Sequence, residues 1–296
     1  MQTKQQIKQL LASAGIFPNK RLGQHFLIDL NLMRLLVDSA HIGNNDIVLE
    51  VGCGTGSLTE ALADKAGCCL AVEIDELAAK IAKRELAKAK NVEIINADIL
   101  ETKNIISQSV TDTLEQRRKK YTGRLLLVAN LPYNVASPVM VNLITGPTVA
   151  DGMYVTVQKQ VADRMTASAG CGDYGTLSIF LSATGDVKMM RVLKPTVFWP
   201  LPQVDSAMVS FVRKHDKVSR IKNMELFSEV ASLFMQHRRK MLRTCTKLAQ
   251  GRLAGINNWQ DIFGRASVDP NNRPEQLSPE GYVAIANLCG EQLGQK

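Results

Sequence analysis

Long apolar runs are missing from this sequence: none approaches the roughly 20 consecutive apolar residues that a transmembrane helix needs. The opening residues, MQTKQQIKQLLASAGIF, also lack the long apolar core and the small-residue cleavage site of a secretory signal. We therefore expect no membrane association and a cytoplasmic location.

Metal-binding cysteine spacing is missing as well. The cysteines show no C-x-x-C pair, which argues against a zinc site. They are Cys53, Cys68, Cys69, Cys171, Cys245 and Cys289. We expect free thiols in a reducing compartment and no bound metal.

Acidic residues are fewer than basic ones, 28 against 36, so the net charge is +8. A basic balance is compatible with a polyanionic partner such as nucleic acid, but it does not establish one. The chain has 296 residues, of which 45% are hydrophobic, so it can bury a substantial core. Its length favours two domains.

The first half of the sequence alternates short apolar strands with amphipathic helices, a pattern that indicates βαβ units and a mostly parallel sheet. Strands are predicted at residues 47–51, 70–74, 92–95, 125–129, 153–157, 187–193 and 207–212. The charged stretch at 104–120 predicts a solvated helix and loop, to which we assign no function. Polar residues 214–222 mark a domain boundary, beyond which the pattern is helical.

A glycine-rich turn, EVGCGTG at residues 50–56, follows the first of these strands. Glycine permits positive φ and close approach of a ligand to the backbone. The spacing differs from the G-x-G-x-x-G dinucleotide fingerprint. The carboxylate of Glu50, directly before the turn, suits a cationic ligand better than a pyrophosphate.

Two further carboxylates follow the next two strands. Glu73 ends the second strand, at the distance at which ribose hydroxyls are recognised. Asp98 follows the third strand and is placed to meet the amino group of an adenine. Three carboxylates without a nearby lysine favour a nucleoside that carries no phosphate, and S-adenosylmethionine fits that description.

The fourth strand leads into the tetrapeptide Asn130, Leu131, Pro132 and Tyr133. We expect the Asn130 side-chain oxygen and the Leu131 carbonyl to accept hydrogen bonds from an adenine amino group. Pro132 fixes the turn, and Tyr133 stacks on the base. Phe198, in a proline-rich segment, is expected to clamp the opposite face. A paired adenine is out of reach, so the target must be single-stranded or flipped.

The sequence resembles the ribosomal RNA adenine dimethyltransferase family from about residue 20 almost to its end. The segments that carry the resemblance are KRLGQHFLID at 20–29, EVGCGTG at 50–56, NLPY at 130–133, VQKQVADR at 157–164, YGTLS at 174–178, FWPLPQVDS at 198–206 and NRPEQLSPE at 272–280. The resemblance implies cofactor contacts at His25, Leu27, Glu50, Gly52, Gly54, Glu73, Asp98 and Asn130. Relatives are expected to carry Asn where His25 stands.

The resemblance also implies a Rossmann-like, seven-stranded class I methyltransferase sheet and a small C-terminal helical domain. We expect an N-terminal extension at residues 1–19, the S-adenosylmethionine-dependent domain at 20–214 and a helical RNA-binding domain at 215–296. The implied reaction is dimethylation of N6 in two adjacent adenines near the 3′ end of small-subunit ribosomal RNA. The expected partner is that RNA or a small-subunit precursor particle, with the protein acting as a monomer.

The C-terminal region contains a basic run, QHRRKMLR at 236–243, within an apolar stripe that predicts a helix. Arg238, Arg239, Lys240 and Arg243 are expected to contact RNA phosphates, although a solvated helix face is the alternative. Ser278 is expected to cap the last helix, with Pro279 in its first turn.

Two other functions remain open from the sequence. An adenine N6-methyltransferase of the antibiotic-resistance type, acting on large-subunit RNA, would need the same kind of cofactor and acceptor pocket. A non-catalytic RNA-binding assembly factor would keep the fold, but the intact Asn130–Tyr133 turn argues against it.

Overall fold

The computed structural model describes residues 1–19, 22–103 and 105–294. Predictions that fall on Lys20, Arg21, Asn104, Gln295 and Lys296 therefore lie outside the described residues. The chain divides into two compact units. The first contains residues 1–162 and 188–212, and the second contains 163–187 and the residues from 213 onward.

The expected boundary lies at residues 214 and 215, whereas residues 163–187 group with the C-terminal helices in this division. Long-range contacts explain this grouping. The Tyr174 hydroxyl donates a hydrogen bond to the carbonyl of Leu277 at 3.0 Å. The rings of Phe180 and Phe227 also meet edge to face, with 5.4 Å between their centroids. Neither contact is visible in local sequence pattern.

Within the described residues, seven strands form one sheet in the order β4-β3-β2-β7-β8-β11-β9. In chain order the strands are β1 (Phe26–Leu27), β2 (Ile47–Val51), β3 (Cys68–Glu73), β4 (Val92–Asn96), β5 (Leu100–Thr102), β6 (Ile105–Ile106), β7 (Leu125–Asn130), β8 (Gly152–Gln158), β9 (Gly185–Leu193), β10 (Phe198–Trp199) and β11 (Ser206–Arg213). The seven strands predicted for the sheet are confirmed. Strands β4, β3, β2, β7 and β8 run parallel, and β11 pairs with β8 in the antiparallel direction.

The central strands are buried on both faces, which explains why they are continuous apolar runs. Every residue of β2 and β3 is buried. Leu49 is aligned with Leu70 on β3 and with Leu127 on β7. This register brings the carboxyl ends of neighbouring strands to one edge of the sheet, where α/β proteins bind their ligands.

The helices are α1 (Lys4–Ser13), α2 (Leu30–Ser39), α3 (Ser57–Ala63), α4 (Glu76–Glu85), α5 (Gln108–Arg118), α6 (Ala136–Thr145), α7 (Lys159–Thr166), α8 (Thr176–Thr184), α9 (His215–Val218), α10 (Met224–Gln236), α11 (Leu242–Cys245), α12 (Trp259–Arg265) and α13 (Pro279–Gln292). Local chemistry sets several of their first turns. The Asp75 carboxylate accepts hydrogen bonds from the backbone N–H groups of Leu77 and Ala78 and so caps α4. Across the described residues, none of these helices is both long and apolar enough to cross a bilayer.

The charged stretch near residues 104–120 forms strand β6 and helix α5. Val110 and Leu114 are buried on one face of α5. The Arg117 guanidinium donates hydrogen bonds to the Glu93 carboxylate on β4. The predicted helix is therefore confirmed, but it is attached to the sheet and is only partly solvated.

In the second unit, the last helix begins as the sequence predicts. The Ser278 hydroxyl accepts a hydrogen bond from the N–H of Gly281, and Pro279 occupies the first turn of α13. Buried Tyr282 on this helix lies 6.1 Å from Phe234 on α10, measured between ring centroids. Aromatic packing between α10 and α13 therefore forms the centre of this unit.

Candidate cofactor and acceptor site

A cavity of about 290 Å³ lies in the first unit, at the carboxyl ends of the parallel strands. Its walls include eleven of the residues that the sequence predicts to be functional: His25, Leu27, Glu50, Gly52, Gly54, Glu73, Asp98, Asn130, Leu131, Pro132 and Tyr133. The volume is close to the lower end of the range for small-molecule sites. The structure therefore brings the predicted cofactor turn and the predicted acceptor turn to one place.

The glycine turn is in direct contact with the acceptor turn. Gly52 has a φ of 77°, and a Cβ atom there would lie 2.8 Å from Cγ of Pro132. Gly54 has a φ of 57°, and a Cβ atom there would lie 2.7 Å from the ring of Phe26. Because both the backbone conformation and the space exclude a side chain, glycine is required at both positions.

Glu73 is held rigidly at the end of β3. One of its carboxylate oxygens accepts a hydrogen bond from the N–H of Gly54 at 2.7 Å, and the other accepts from the N–H of Asp75 at 2.9 Å. Burial raises the pKa of Glu73, and these hydrogen bonds oppose that shift. Each oxygen retains lone-pair capacity, so the carboxylate can still accept hydrogen bonds from ligand hydroxyls.

Glu50 is a buried carboxylate, and one of its oxygen atoms lacks a hydrogen-bond partner. Its side chain is 2% exposed, and its Oε2 atom has no hydrogen-bond partner. Burial raises the pKa of Glu50 to about 8, and the nearby charge of Glu73 adds to the shift. A buried carboxylate oxygen without a partner is costly, so a positively charged ligand group in the cavity would stabilise the ionised carboxylate and offset its repulsion by Glu73.

Asp98 is an exposed residue on the cavity wall, two residues beyond β4. One of its carboxylate oxygens accepts a hydrogen bond from the N–H of Leu100 at 2.9 Å. Ile99, which is buried, lies on the same wall. The site therefore offers a carboxylate and an apolar side chain next to each other, a combination that suits an adenine with an amino group at its edge.

Asn130 ends β7, and its orientation is fixed from two sides. Its side-chain N–H donates a hydrogen bond to the carbonyl of His25 at 2.8 Å. The next N–H along the chain, that of Leu131, donates to the carbonyl of Thr156 on β8 at 3.0 Å. Because the amide nitrogen is engaged by His25, the side-chain oxygen of Asn130 is the atom that can accept a hydrogen bond from a ligand.

Tyr133 is also held in place at two points. Its ring stacks on the ring of His25, with 5.4 Å between centroids and 28° between planes. Its hydroxyl shares a hydrogen bond with the Ser206 hydroxyl at 3.0 Å. Burial raises the pKa of Tyr133, so the phenol stays protonated at neutral pH. No local sequence pattern indicates the role of Ser206, because it depends on a contact across 73 residues.

Phe198, predicted to clamp the base, lies away from the cavity wall. Its side chain is 3% exposed and packs in a hydrophobic cluster with Leu27 and Met208, and it is not among the cavity-lining residues. The pairing of β10 with β1 explains this position, because it aligns Phe198 with Leu27. The clamp on the base stays a prediction, and Phe198 packs in the core in this structure.

The basic run does not lie on the continuous helix that the sequence predicts. Helix α10 ends at Gln236, so Arg238, Arg239 and Lys240 lie in the turn before α11 and not on a continuous helix. The N–H groups of Leu242 and Arg243 donate to the carbonyls of Asn272 and Pro270, at 2.9 and 3.0 Å. These long-range hydrogen bonds replace those that a longer helix would have made.

The four cations of this run differ in their surroundings. Arg238 donates hydrogen bonds to the carbonyl of Gly172 at 3.1 Å and to the carboxylate of Glu275 at 3.3 Å. Arg243 contacts the sulfur of Met241 at 3.5 Å. All four residues are exposed, so they differ in their contacts and not in their burial. The predicted phosphate contacts therefore fit Arg239 and Lys240 best, since Arg238 is partly neutralised within its own unit.

Among the residues described, no three His, Cys, Asp or Glu side chains are grouped so that they could hold a metal ion. The six cysteines are free thiols, and Cys53 lies on the cavity wall with a pKa that burial raises well above its usual range. A thiol in that state is a poor nucleophile, so Cys53 contributes packing.

The sheet order, the glycine turn and the strand-end carboxylates together define a class I methyltransferase. Solved structures agree on this fold. A dimethyladenosine transferase from Plasmodium falciparum aligns with a TM-score of 0.73 and 21% identity, over 91% of this chain and 98% of that chain. The 23S rRNA methyltransferase ErmE aligns with a TM-score of 0.60 and 22% identity, over 91% of this chain and 100% of that chain.

Sequence comparison identifies the family. The family model described as ribosomal RNA adenine dimethylase matches residues 17–289. Proteins named ribosomal RNA small subunit methyltransferase A are similar to this chain. The one from Pelotomaculum thermopropionicum is 35% identical over 98% of this chain and 97% of its own length, and the one from Latilactobacillus sakei is 33% identical over 96% and 94%. The chain therefore belongs to the ribosomal RNA adenine dimethylase family. The family and the fold imply a methyl donor of the S-adenosylmethionine type.

Proposed function

We propose that this protein transfers methyl groups from S-adenosylmethionine to N6 of two adjacent adenines near the 3′ end of small-subunit ribosomal RNA. The observation that carries the proposal is the convergence of two turns on one cavity. The glycine turn with Glu50 and Glu73 forms one part of its wall, and the turn containing Asn130 forms another. A donor site and an acceptor site are therefore adjacent.

The residues present fit such a cofactor. Glu73 is rigid and retains lone pairs for the ribose hydroxyls. The unpartnered oxygen of Glu50 would pair with the amino-acid ammonium group, which would lower the pKa of Glu50 again. Asp98 would accept a hydrogen bond from the adenine amino group, while His25, Leu27, Gly52 and Gly54 form the remaining wall. When bound, the cofactor supplies an electrophilic methyl carbon.

The acceptor turn would prepare the adenine for the transfer. Its amino nitrogen is a weak nucleophile because the lone pair is delocalised into the ring. If the Asn130 side-chain oxygen and the Leu131 carbonyl hold the two amino hydrogens, the nitrogen can become more tetrahedral and expose that lone pair. The protein then contributes positioning and local electrostatics, without a covalent enzyme intermediate. The hydrogen bond from Asn130 to the His25 carbonyl supports this role.

The base must reach the cavity from a single-stranded or flipped position. The Tyr133 ring is the stacking surface available at the acceptor turn, since Phe198 is packed in the core. Arg239, Lys240 and, to a smaller extent, Arg238 and Arg243 would contact RNA phosphates, which position the RNA without reading its sequence. We place this activity on a small-subunit particle in the cytoplasm, with the protein acting as a monomer.

The names of the similar proteins favour the small subunit over the large one. The relatives at 33–35% identity carry a small-subunit name, whereas the large-subunit enzyme ErmE shares only the fold. The intact Asn130–Tyr133 turn on the cavity wall favours an enzyme over a non-catalytic assembly factor.

The experiment offers labelled S-adenosylmethionine with unmethylated small subunits or with large subunits, and then maps the labelled nucleosides. We expect N6,N6-dimethyladenosine at two adjacent positions of the small-subunit RNA. Label confined to a large-subunit adenine would replace this proposal with the antibiotic-resistance activity. Binding to either particle without any transfer would support the assembly factor.

A further inference from the structure

Three hydrogen bonds join Gln2 to Thr55 in the glycine turn and to Ser57, the residue that follows the turn. Its backbone N–H donates to the Ser57 hydroxyl at 2.7 Å, and its side-chain N–H donates to the Thr55 carbonyl at 3.0 Å. The Thr55 hydroxyl donates in return to the Gln2 side-chain oxygen at 2.6 Å. Gln2 is 9% exposed and Thr55 is 1% exposed, so these bonds are shielded from water.

The helix that follows Gln2 reaches the cavity. Ile7 on α1 is fully buried and lines the cavity, and it packs with Leu11 and with Ile81 of α4. Thr55 and Ser57, the two residues to which Gln2 is bound, line the same cavity. Residues 2–13, which we call the strap, therefore form part of the cavity wall and are bound to another part of it.

We propose that Gln2 is a positioning residue that holds the strap against the cavity and thereby sets how long the cofactor stays bound. This inference rests on the proposed function, because it assumes that the cavity binds S-adenosylmethionine. If Gln2 is removed, the Thr55 carbonyl and hydroxyl lose their buried partners, so the closed position of the strap is disfavoured. The wall that contains Ile7 then opens more often.

The rest of the glycine turn does not depend on Gln2. Gly54 is fixed separately by the hydrogen bond from its N–H to Glu73, at 2.7 Å. Gly52 is fixed by the hydrogen bond from its N–H to the carbonyl of Val72, at 2.8 Å. Loss of the Gln2 contacts should therefore leave the sheet and the acceptor turn in place, and should change retention of the cofactor more than the chemical step.

The test measures binding and release of S-adenosylhomocysteine by the full-length protein and its variants. For Gln2→Ala we expect the dissociation constant to rise by about 5- to 30-fold, the effect of losing one or two net hydrogen bonds. Most of that change should appear in the dissociation rate. With S-adenosylmethionine in methyl transfer, KM should rise by a similar factor while kcat stays within about twofold.

Three comparisons make the result specific. Gln2→Glu keeps the shape but places an oxygen against the Thr55 carbonyl, so it should weaken binding at least as much as alanine. Gln5→Ala alters an exposed residue of α1 and should leave the dissociation rate unchanged. Ile262→Val, in the buried part of the second unit, lowers general stability without touching the strap.

The outcomes separate the two proposals. If the unaltered protein does not bind S-adenosylhomocysteine, the proposed function itself fails. If it does bind, but Gln2→Ala releases the ligand at the unaltered rate, the role of Gln2 is refuted. A loss of affinity in Ile262→Val as large as that in Gln2→Ala would also refute it, because the effect would then be general destabilisation.

Discussion

Gly52 connects the cofactor turn with the acceptor turn, so its substitution tests whether the two act as one site. In Gly52→Ala, the new Cβ atom would lie 2.8 Å from Cγ and 3.1 Å from Cδ of Pro132. The proline ring cannot rotate away, so one of the two turns must move. The φ of 77° adds strain, because an L-residue in the left-handed region costs about 1–2 kcal/mol.

The expected loss of activity follows from this displacement. A strain of about 1–2 kcal/mol on the glycine turn corresponds to roughly 5- to 30-fold weaker cofactor binding if the ligand requires the native turn. A shift of Pro132 also misplaces Asn130 and Tyr133, and a misplacement of about 1 Å costs roughly 100-fold in rate. We therefore expect kcat to fall by about 10- to 100-fold, beyond the loss in affinity.

The assay combines methyl transfer to unmethylated small subunits with titration of S-adenosylhomocysteine. Gly264→Ala is the matched control, because a Cβ atom added to this helical glycine of the second unit would meet no heavy atom within 4 Å beyond its own helix backbone. It should be neutral or stabilise the protein by up to about 1 kcal/mol. If Gly52→Ala keeps kcat within about threefold of the unaltered protein, the coupling of the two turns through Pro132 is refuted.

Three further predictions concern particular side chains. Burial raises the pKa of Glu50 from 4.5 to about 8. Between these pH values the folded ligand-free protein keeps a proton that the unfolded chain has lost. Its free energy of unfolding should therefore fall by up to about 1.4 kcal/mol for each unit by which the pH rises. Glu50→Gln should flatten that slope in chemical denaturation, and an unchanged slope would refute the assignment. Tyr133→Ala should lower kcat/KM by about 5- to 150-fold through lost stacking. Tyr133→Phe, which loses only the bond to Ser206, should lower it by less than about fivefold; equal losses would show that the ring does not stack. Arg239→Gln combined with Lys240→Gln should reduce the salt dependence of RNA binding by about 1.5 in log–log slope, and an identical slope would remove these residues from the RNA contact.

The cavity could be predicted from the sequence because its parts obey local rules. Parallel strands buried on both faces are continuous apolar runs, and ligands bind at their carboxyl ends. Glu73 and Asn130 could therefore be assigned to one edge of the sheet from their positions at strand ends. The register of β2 with β3 and β7 then brings them together.

The parts that the sequence did not reveal depend on contacts between distant residues. Phe198 is turned into the core by the pairing of β10 with β1, which aligns it with Leu27 far away along the chain. Helix α10 ends at Gln236, and the first N–H groups of α11 donate to the carbonyl groups of Pro270 and Asn272. Gln2 has no local pattern that predicts its bond to Thr55. In each case the position of the residue depends on a partner far away along the chain.

The central claim is that the turn at Asn130 presents an adenine amino group to a methyl donor in the same cavity. The most direct measurement compares Asn130→Ala with the unaltered protein in methyl transfer to unmethylated small subunits and in affinity for S-adenosylhomocysteine. We predict that kcat falls by about 100- to 1,000-fold, as expected for a lost transition-state contact, while the affinity changes by less than about threefold. Unchanged turnover in Asn130→Ala would contradict this claim.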